Sequence, residues 1–183
     1  MAEGTRGYFG IGVEGISKPL NLGNLFRSAH AFGASFVFTI DADLTRIEAK
    51  SDTSMAPANL PYYPYRDCAE LELPAGCSLI GVEMLDQAVE LPSFRHPRCA
   101  VYVLGPERGS LSPELAEACE FVVRIPTRFC LNVGIAGALV MYDRMISLGH
   151  FAERPVTPHG RPVPPPAHVY GAATWREKRG QRG

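Results

Sequence analysis

Residues 100–109 read AVYVLGPERG, a short apolar run followed by a turn that contains glycine, proline and Glu107. The run has the composition of a buried strand. In α/β sheets ligands bind outside the carboxyl ends of the strands, and a glycine there lets the backbone approach a ligand closely. The stretch therefore predicts a strand of a parallel sheet that ends at a ligand-binding turn. A plain surface turn with an exposed Glu107–Arg108 pair is the alternative interpretation.

Four similar apolar runs elsewhere in the chain predict further strands of the same sheet. They are rich in Val, Ile, Phe and Tyr, and they cover residues 8–13, 35–40, 78–84 and 121–125. Helical segments alternate with them, so we expect an α/β fold in which a mainly parallel sheet carries helices on both faces. Residues 51–66 contain no such pattern and are predicted to form a long irregular loop.

The helical segments show recognisable ends. Apolar residues recur at helical spacing over 21–33, where Asn21 is the expected N-cap and Gly33 the expected C-terminal stop. A second helix is predicted to begin at Ser112-Pro113, a cap followed by a first-turn proline. A third is expected from about residue 132 to residue 148.

Composition limits the class of protein. The 183 residues are 46% hydrophobic and 20% charged, as in ordinary globular proteins, and no apolar run approaches the ~20 residues that span a bilayer. The five cysteines include no C-x-x-C pair and the histidines are scattered, which argues against disulfides and against a metal site. Without a recognisable secretion signal, we expect a cytoplasmic location and no membrane partner.

Charge is distributed unevenly along the chain. The formal net charge is −1, but residues 151–183 carry six basic residues against two acidic ones. Proline dominates residues 155–166. We therefore expect a core domain over 1–150 and a flexible proline-rich linker with a basic tail over 151–183. Such a tail suits contact with a polyanion, and a merely solubilising end is the alternative.

Residues 10–15 match G-x-G-x-x-G, the dinucleotide-binding pattern. That motif requires a strand before the glycines and a helix that begins among them. Here the glycines fall inside the predicted strand, and Ser17-Lys18-Pro19 follows where the helix should begin. We therefore reject an oxidoreductase that binds a nicotinamide cofactor.

The helix at 21–33 carries a polar face as well as its apolar stripe. Asn24, Arg27 and Ser28 lie on that face, and Asn21 lies at the helix entrance. A helix N-terminus attracts anions, and arginine binds phosphate in bidentate fashion. The face predicts an anion site, with a solvated surface helix as the alternative.

Residues 125–132, IPTRFCLN, lead into a helix rich in small residues. Gly134 and Gly137 within it cost roughly 2 kcal/mol relative to alanine. Close approach of another segment would offset that cost, and a tightly packed core helix is the simplest form of it.

Taken in this order, three segments resemble the TrmH (SpoU) ribose methyltransferases of the SPOUT superfamily. Residues 19–27, PLNLGNLFR, resemble the first family motif, N-x-G-x-x-x-R. Residues 104–109 resemble the second, G-P-E-x-x-G. Residues 125–138 resemble the third, I-P…S-L-N-V-S-x-A. The resemblance covers about residues 8–150.

The resemblance implies a deep trefoil knot in the carboxyl-terminal part of the sheet, an exception to the usual absence of knots. It also implies S-adenosylmethionine as cofactor, RNA as substrate, no metal, and a homodimer whose active sites use both chains. The catalytic residues it implies are Asn21, Arg27, Glu107 and Asn132. The residues it places against the cofactor are Val82, Leu104, Gly105, Gly109, Ile125, Cys130 and Leu131.

Methyl transfer to a ribose 2′-hydroxyl requires alignment of the reactants and loss of the hydroxyl proton. A guanidinium keeps its proton, so we expect Arg27 to grip a phosphate and stabilise the forming alkoxide, while phosphate or water takes the proton. The compact build, with no separate RNA-binding domain before the first strand, resembles that of the tRNA-modifying members of the family, and this resemblance favours tRNA over rRNA as the substrate.

Two positions depart from the family pattern. Cys130 and Gly134 stand where the family commonly has serine, and cysteine is a weaker hydrogen-bonding group. A non-catalytic, knotted RNA-binding protein is therefore the alternative function, although Asn21, Arg27 and Glu107 argue against it.

Overall fold

The computed structural model describes residues 7–42, 60–107, 109–149, 151 and 157–161. The chain divides into two compact units, Met1–Gly149 and His150–Gly183. Most of the predicted linker and tail lies outside the described residues, so that expectation stays a prediction. Among the described helices, none is both long and apolar enough to cross a bilayer.

Seven strands form one sheet in the first unit, in the order β3-β2-β1-β6-β4-β7-β5, and every pair is parallel. Within the described residues, three α-helices pack against the sheet, and the last of them follows the final strand. The strands are β1 (Tyr8–Glu14), β2 (Phe36–Ile40), β3 (Tyr62–Tyr65), β4 (Ser78–Val82), β5 (Val89–Glu90), β6 (Cys99–Leu104) and β7 (Phe121–Arg124). The helices are α1 (Pro19–Phe32), α2 (Pro113–Ala118) and α3 (Val133–Leu148).

Side chains that alternate along β6 show how the two faces of the sheet are covered. Tyr102 and Leu104 join an apolar cluster with Leu25 of α1 and Val140 of α3. Val103 points to the opposite face, into a second cluster that includes Leu115 of α2. The predicted α/β fold with a parallel sheet is therefore confirmed, and α1 and α3 pack together on one face.

The strand order reverses between β1 and β6, which are direct neighbours with Gly12 opposite Val103 and Val13 opposite Leu104. Connections from these two strands leave in different directions and open a crevice at their carboxyl ends. Such a switch point is the usual ligand site of a parallel sheet.

The glycines of β1 make room for aromatic rings of β2. A Cβ atom at Gly10 would lie 2.2 Å from the Phe36 ring, and one at Gly12 would lie 2.5 Å from Phe38. Both glycines lie inside the strand. They therefore serve sheet packing, and rejecting the dinucleotide motif was correct.

Local signals placed most helix ends correctly. Gly33 adopts the left-handed conformation (φ 76°) at the end of α1, and Ser112 Oγ accepts a hydrogen bond from Leu115 N at the start of α2. The expected N-cap of α1 was wrong. The cap position is Lys18, because Pro19 is already helical, and Asn21 lies within the first turn.

Two sheet edges differ from the prediction. Tyr62–Tyr65 form strand β3 within the segment 51–66 that was expected to be a loop, whereas 51–59 lie outside the described residues. Pro64 suggested a loop, but β3 is an edge strand, where a proline is tolerated. The two-residue strand β5 was not predicted, and β4 ends at Val82, before the expected residue 84.

A chain of four polar side chains lies near the amino end of β6, and we call it the buried network: His96, Tyr102 and Arg144, which are buried, and Asp143, which is partly exposed. Arg144 Nη1 donates to Tyr102 Oη (3.2 Å), His96 Nδ1 lies 2.6 Å from the same oxygen, and His96 Nε2 lies 2.9 Å from Asp143 Oδ2. Burial lowers the pKa of His96, although Asp143 opposes the shift. A neutral imidazole that donates a hydrogen bond from Nε2 to Asp143 can accept one from the Tyr102 hydroxyl at Nδ1. The donors then follow one another from Arg144 through Tyr102 and His96 to Asp143.

Candidate active site

A cavity of about 270 Å³ opens at the carboxyl ends of β4, β6 and β7, beside the first turn of α1. Its walls bring together the three segments singled out in the sequence. Every residue expected to bind the cofactor lines it: Val82, Leu104, Gly105, Gly109, Ile125, Cys130 and Leu131. Of the four expected catalytic residues, Asn21, Glu107 and Asn132 line it as well, and Arg27 does not.

A chain of hydrogen bonds runs along one wall of this cavity and joins the three motifs. We call Asn132, Asn21, Glu107 and Lys18 the cavity network. Asn132 Oδ1 accepts from Gly134 N (2.9 Å), and Asn132 Nδ2 donates to Asn21 Oδ1 (2.9 Å). Asn21 Nδ2 in turn donates to Glu107 Oε1. Residues up to 111 positions apart in sequence thus hold one another in place.

One backbone group fixes the direction of this chain. The Gly134 N–H can only donate, so the atom of Asn132 that faces it is the oxygen, and the Asn132 amide nitrogen must face Asn21. The same logic turns the Asn21 nitrogen towards the Glu107 carboxylate. Since Asn132 is also the N-cap of α3, the start of that helix orients the whole wall.

Lys18 ends the cavity network on the solvent side. Its Nζ lies 2.9 Å from Glu107 Oε2, and the side chains of Lys18 and Glu107 are 60% and 10% exposed. No motif of the sequence includes Lys18, and its position immediately before Pro19 and the first motif is the signal that could have indicated it. Both oxygens of Glu107 therefore have partners, one inside the cavity wall and one at its mouth.

Glu83 is a second residue that the sequence did not indicate. It follows β4, and its carboxylate accepts hydrogen bonds from Met84 N (2.7 Å) and Leu111 N (3.0 Å). A Cβ atom at Gly105 would lie 2.5 Å from Glu83 Oε2. Gly105 therefore makes room for a carboxylate that ties the turn after β6 to the end of β4.

Arg27 lies in a different place from the one the motif suggested. It lines a groove of about 440 Å³ between α1 and α3, together with Asn24, Ser28 and Tyr142. The sequence predicted that Asn21 and Arg27 cluster at the helix start, and the helix separates them instead, because Asn21 turns towards Glu107. Asn132 lines both the cavity and the groove and so lies between them.

The glycines of α3 allow α1 to approach closely, which is the gain expected to offset their unfavourable helix propensity. A Cβ atom at Gly137 would lie 2.3 Å from Leu25 Cδ1, and one at Gly134 would lie 3.0 Å from Asn24 Cβ. Both contacts are with α1. Gly134 thus has a packing reason at a position where the family often has serine.

Cys130 lines the cavity and is exposed. Its Sγ donates a weak hydrogen bond to Met84 Sδ at 3.8 Å. The loop around it is held by Thr127, whose Oγ1 donates to Phe129 O (2.9 Å). The thiol is therefore placed on a structured loop and can contact a bound molecule.

The charges of the cavity indicate what it can hold. Among the described residues that line it, Glu83 and Glu107 are acidic and Lys18 is basic, which leaves an excess of one negative charge. Val82, Leu104, Ile125 and Leu131 supply apolar surface. The site therefore suits a ligand that combines apolar parts with a positive charge.

Proteins of similar sequence and structure carry methyltransferase names. One relative is "tRNA (guanosine(18)-2′-O)-methyltransferase TARBP1" of Mus musculus, 28% identical over 142 residues, which are 70% of this chain and 9% of that protein. The AdoMet-bound rRNA methyltransferase from Sinorhizobium meliloti superimposes with a TM-score of 0.68 at 22% identity, over 78% of this chain and 57% of that one. A putative RNA methyltransferase of the TrmH family from Porphyromonas gingivalis gives 0.65 at 25% identity, over 75% and 59%.

The chain thus spans a small part of the mouse protein and somewhat over half of each bacterial one. The family model of the SpoU rRNA Methylase family matches residues 9–142, a range that contains all three motifs and the whole cavity network. The chain belongs to the SpoU rRNA Methylase family.

Proposed function

We propose that this protein is an S-adenosylmethionine-dependent RNA methyltransferase that methylates a ribose 2′-hydroxyl, with tRNA favoured over rRNA. The observation that carries the proposal is the cavity network, which joins Asn21, Glu107 and Asn132 in the wall of a cavity at the carboxyl ends of β4, β6 and β7. The names of the relatives support RNA as the substrate class, and that of the mouse relative supports tRNA and the 2′-hydroxyl.

The cavity fits this cofactor on physical grounds. S-Adenosylmethionine carries a sulfonium, an ammonium and a carboxylate, so its net charge of about +1 complements the excess negative charge of the described lining. The apolar walls at Val82, Ile125 and Leu131 suit its adenine ring. The AdoMet-bound structure of the bacterial relative with the same fold supports the assignment.

When bound, the cofactor supplies a methyl group on a sulfonium, which an oxygen nucleophile can attack in line. The chain's own residues position the reactants. Asn132 and Asn21 hold their amides in one orientation because the Gly134 N–H fixes it, so these two amides need no reorientation when substrate arrives. We assign to Arg27 the grip on the phosphate next to the target ribose and the stabilisation of the forming alkoxide.

A second copy of the chain completes the site in this proposal. Arg27 opens to the groove and not to the cavity, and the outer face of α3 exposes Ile135 (55%), Leu139 (39%) and Tyr142 (45%) along the same groove. These three follow helical spacing, so they form one apolar stripe. We propose that a homodimer covers this stripe and brings the groove of one protomer next to the cavity of its partner. Light scattering should show a dimer, and Leu139→Glu should convert it to a monomer.

The carboxyl-terminal trefoil knot and the basic tail are part of the same proposal. The knot rests on the family resemblance, and the close contacts of Gly134 and Gly137 with α1 are compatible with the tight packing that a knot requires. A crystal structure traced through residues 99–149 tests the knot. The tail is assigned to RNA backbone contact, so deletion of 155–183 should flatten the salt dependence of RNA binding and leave cofactor binding unchanged.

Two measurements test the activity itself. Isothermal titration calorimetry with S-adenosylmethionine tests cofactor binding, and transfer of labelled methyl groups to unmodified tRNA and, separately, to rRNA tests the reaction and its substrate. Alkali resistance of the labelled linkage identifies a 2′-O-methyl product. Binding of RNA without any binding of the cofactor would favour the non-catalytic alternative instead.

A further inference from the structure

Lys18 has a geometry that a purely structural residue would not need. Its ammonium pairs with Glu107 Oε2 at 2.9 Å while most of its side chain faces solvent at the cavity mouth. Its carbonyl oxygen accepts hydrogen bonds from Asn21 N (3.1 Å) and Leu22 N (3.2 Å), so the backbone is fixed and only the side chain is free to move.

Glu107 differs from its partner in this respect. Its carboxylate is largely buried, and Asn21 holds Oε1 from inside the wall. The other oxygen, Oε2, faces Lys18 and the mouth. A polyanionic substrate that enters through the mouth therefore meets the ammonium of Lys18 beside the second carboxylate oxygen.

We propose that Lys18 exchanges partners when substrate binds: its ammonium leaves Glu107 for a backbone phosphate of the RNA, and the freed Oε2 accepts a hydrogen bond from the target hydroxyl. This inference rests on the proposed function, because it takes the substrate to be RNA. It adds Lys18 as a substrate-binding residue and gives Glu107 a positioning role that begins only once RNA is present.

The exchange is energetically reasonable because one anion replaces another. An ion pair with one mostly exposed partner adds little to stability, so breaking it has a small cost. A lysine ammonium has three donors on a flexible stem, which lets it follow a phosphate without a fixed geometry. Asn21 still holds Glu107 after Lys18 has moved, so the carboxylate keeps its position.

The test measures affinity for unmodified bulk tRNA by filter binding at several salt concentrations, using wild type, Lys18→Gln, Glu107→Gln and the double variant. Lys18→Gln should weaken binding several-fold and lower the slope of log K against log salt by about 0.7 to 0.9, the value of one phosphate contact. Glu107→Gln should tighten binding, because it releases Lys18 from its competing partner. In the double variant that gain should disappear, since the two effects depend on the same ammonium.

Matched controls remove the effect of charge alone. Arg98→Gln loses a cation just before β6, at the opposite end of the sheet, and Glu117→Gln loses an exposed acid on α2; both should leave the slope and the affinity close to wild type. An unchanged slope in Lys18→Gln would refute the phosphate contact. Equal tightening by Glu107→Gln with and without Lys18 would refute the exchange.

Different measurements test the proposed function and the role of Lys18. Calorimetry of S-adenosylmethionine binding to the same four proteins does not depend on RNA. Wild type that binds neither the cofactor nor RNA would overturn the proposed function, whereas wild type that binds both, with Lys18→Gln unaltered in RNA binding, would overturn only the role of Lys18.

Discussion

The buried network and the cavity network lie near opposite ends of the sheet, and both are chains of hydrogen-bonded polar side chains. His96 and Arg144 in the buried network are only 3% and 2% exposed, and Arg144 also donates from Nη2 to Arg98 O (2.7 Å). Its guanidinium lies 5.0 Å from the centre of the Phe9 ring. The cavity network instead ends at a lysine that is 60% exposed. One network is closed, and the other is open to a ligand.

This difference separates stability from function in the molecule. Removing a member of a closed network leaves its partners buried without a hydrogen bond, and water cannot replace it. A network at a cavity can exchange a partner for water, cofactor or substrate, so a substitution there should affect binding more than folding. Variants in the buried network should therefore lower mainly stability, whereas variants at the cavity should lower mainly activity.

The largest expected effect is that of Arg144→Met on stability. It removes the cation that donates to Tyr102 and to a backbone carbonyl, and each buried acceptor left without a donor costs about 1–3 kcal/mol, so we expect a loss of roughly 2–5 kcal/mol in the free energy of unfolding. Urea denaturation measures it, with the exposed Arg98→Met as the matched control. A loss below about 1 kcal/mol would show that the buried network does not stabilise the fold.

Arg27→Ala should have the second largest effect, on activity. Methyl transfer should fall by about 10²–10³-fold, the range for removal of a group that stabilises transition-state charge. Stability and cofactor affinity should change little, because Arg27 is exposed in the groove. Arg27→Lys should also fail, since a point charge does not reproduce the bidentate guanidinium.

Methylation assays and calorimetry on the same preparations separate these effects. Exposed Arg66→Ala serves as the control for loss of an arginine. Near wild-type kcat in Arg27→Lys would show that the role assigned to Arg27 is wrong.

His96→Gln should change the pH dependence of the free energy of unfolding, an effect that we expect to be smaller than those of Arg144→Met and Arg27→Ala. Burial holds the pKa of His96 below its value of about 6.5 in an unfolded chain. The unfolded state therefore binds the extra proton first, and stability falls as the pH drops below about 6.5 towards the pKa of the folded state. His96→Gln should lose part of this fall.

Urea denaturation at pH 7.5 and pH 5.5 measures the difference between the two stabilities. The exposed His30→Gln on α1 is the control and should keep the wild-type pH dependence. If the two variants behave alike, protonation of His96 does not contribute to the acid sensitivity of the fold.

The smallest effect is expected for Cys130→Ser, which should keep or slightly raise activity because serine is the usual residue of the family at this position. Cys130 is exposed in the cavity, where its Sγ donates a weak hydrogen bond to Met84 Sδ. In wild type, alkylation of Cys130 should slow when S-adenosylhomocysteine is bound, as followed by mass spectrometry. Equal labelling with and without it would place the thiol outside the cofactor site.

The features that the sequence predicted well are those with local causes. Gly33 ends α1 because a left-handed residue is needed there, and Ser112 caps α2 with a partner three residues away. The strand positions follow from apolar runs, and the motifs that line the cavity follow from the resemblance. Tyr62–Tyr65 were missed because the local signal of Pro64 indicates a loop unless the strand is known to lie at an edge.

The amino-acid sequence by itself determined the α/β class and most helix ends, because these depend on periodicity and on neighbours a few positions away. The residues that it indicated for the cavity followed from its resemblance to the family motifs. Tertiary structure alone decided which side chains meet. Asn21 and Glu107 are 86 positions apart, and His96 and Asp143 are 47 apart, so only the folded sheet brings them into contact. It also decided that Arg27 opens to the groove and that Lys18 stands at the mouth, because a helix face acquires a direction only when another helix packs against it.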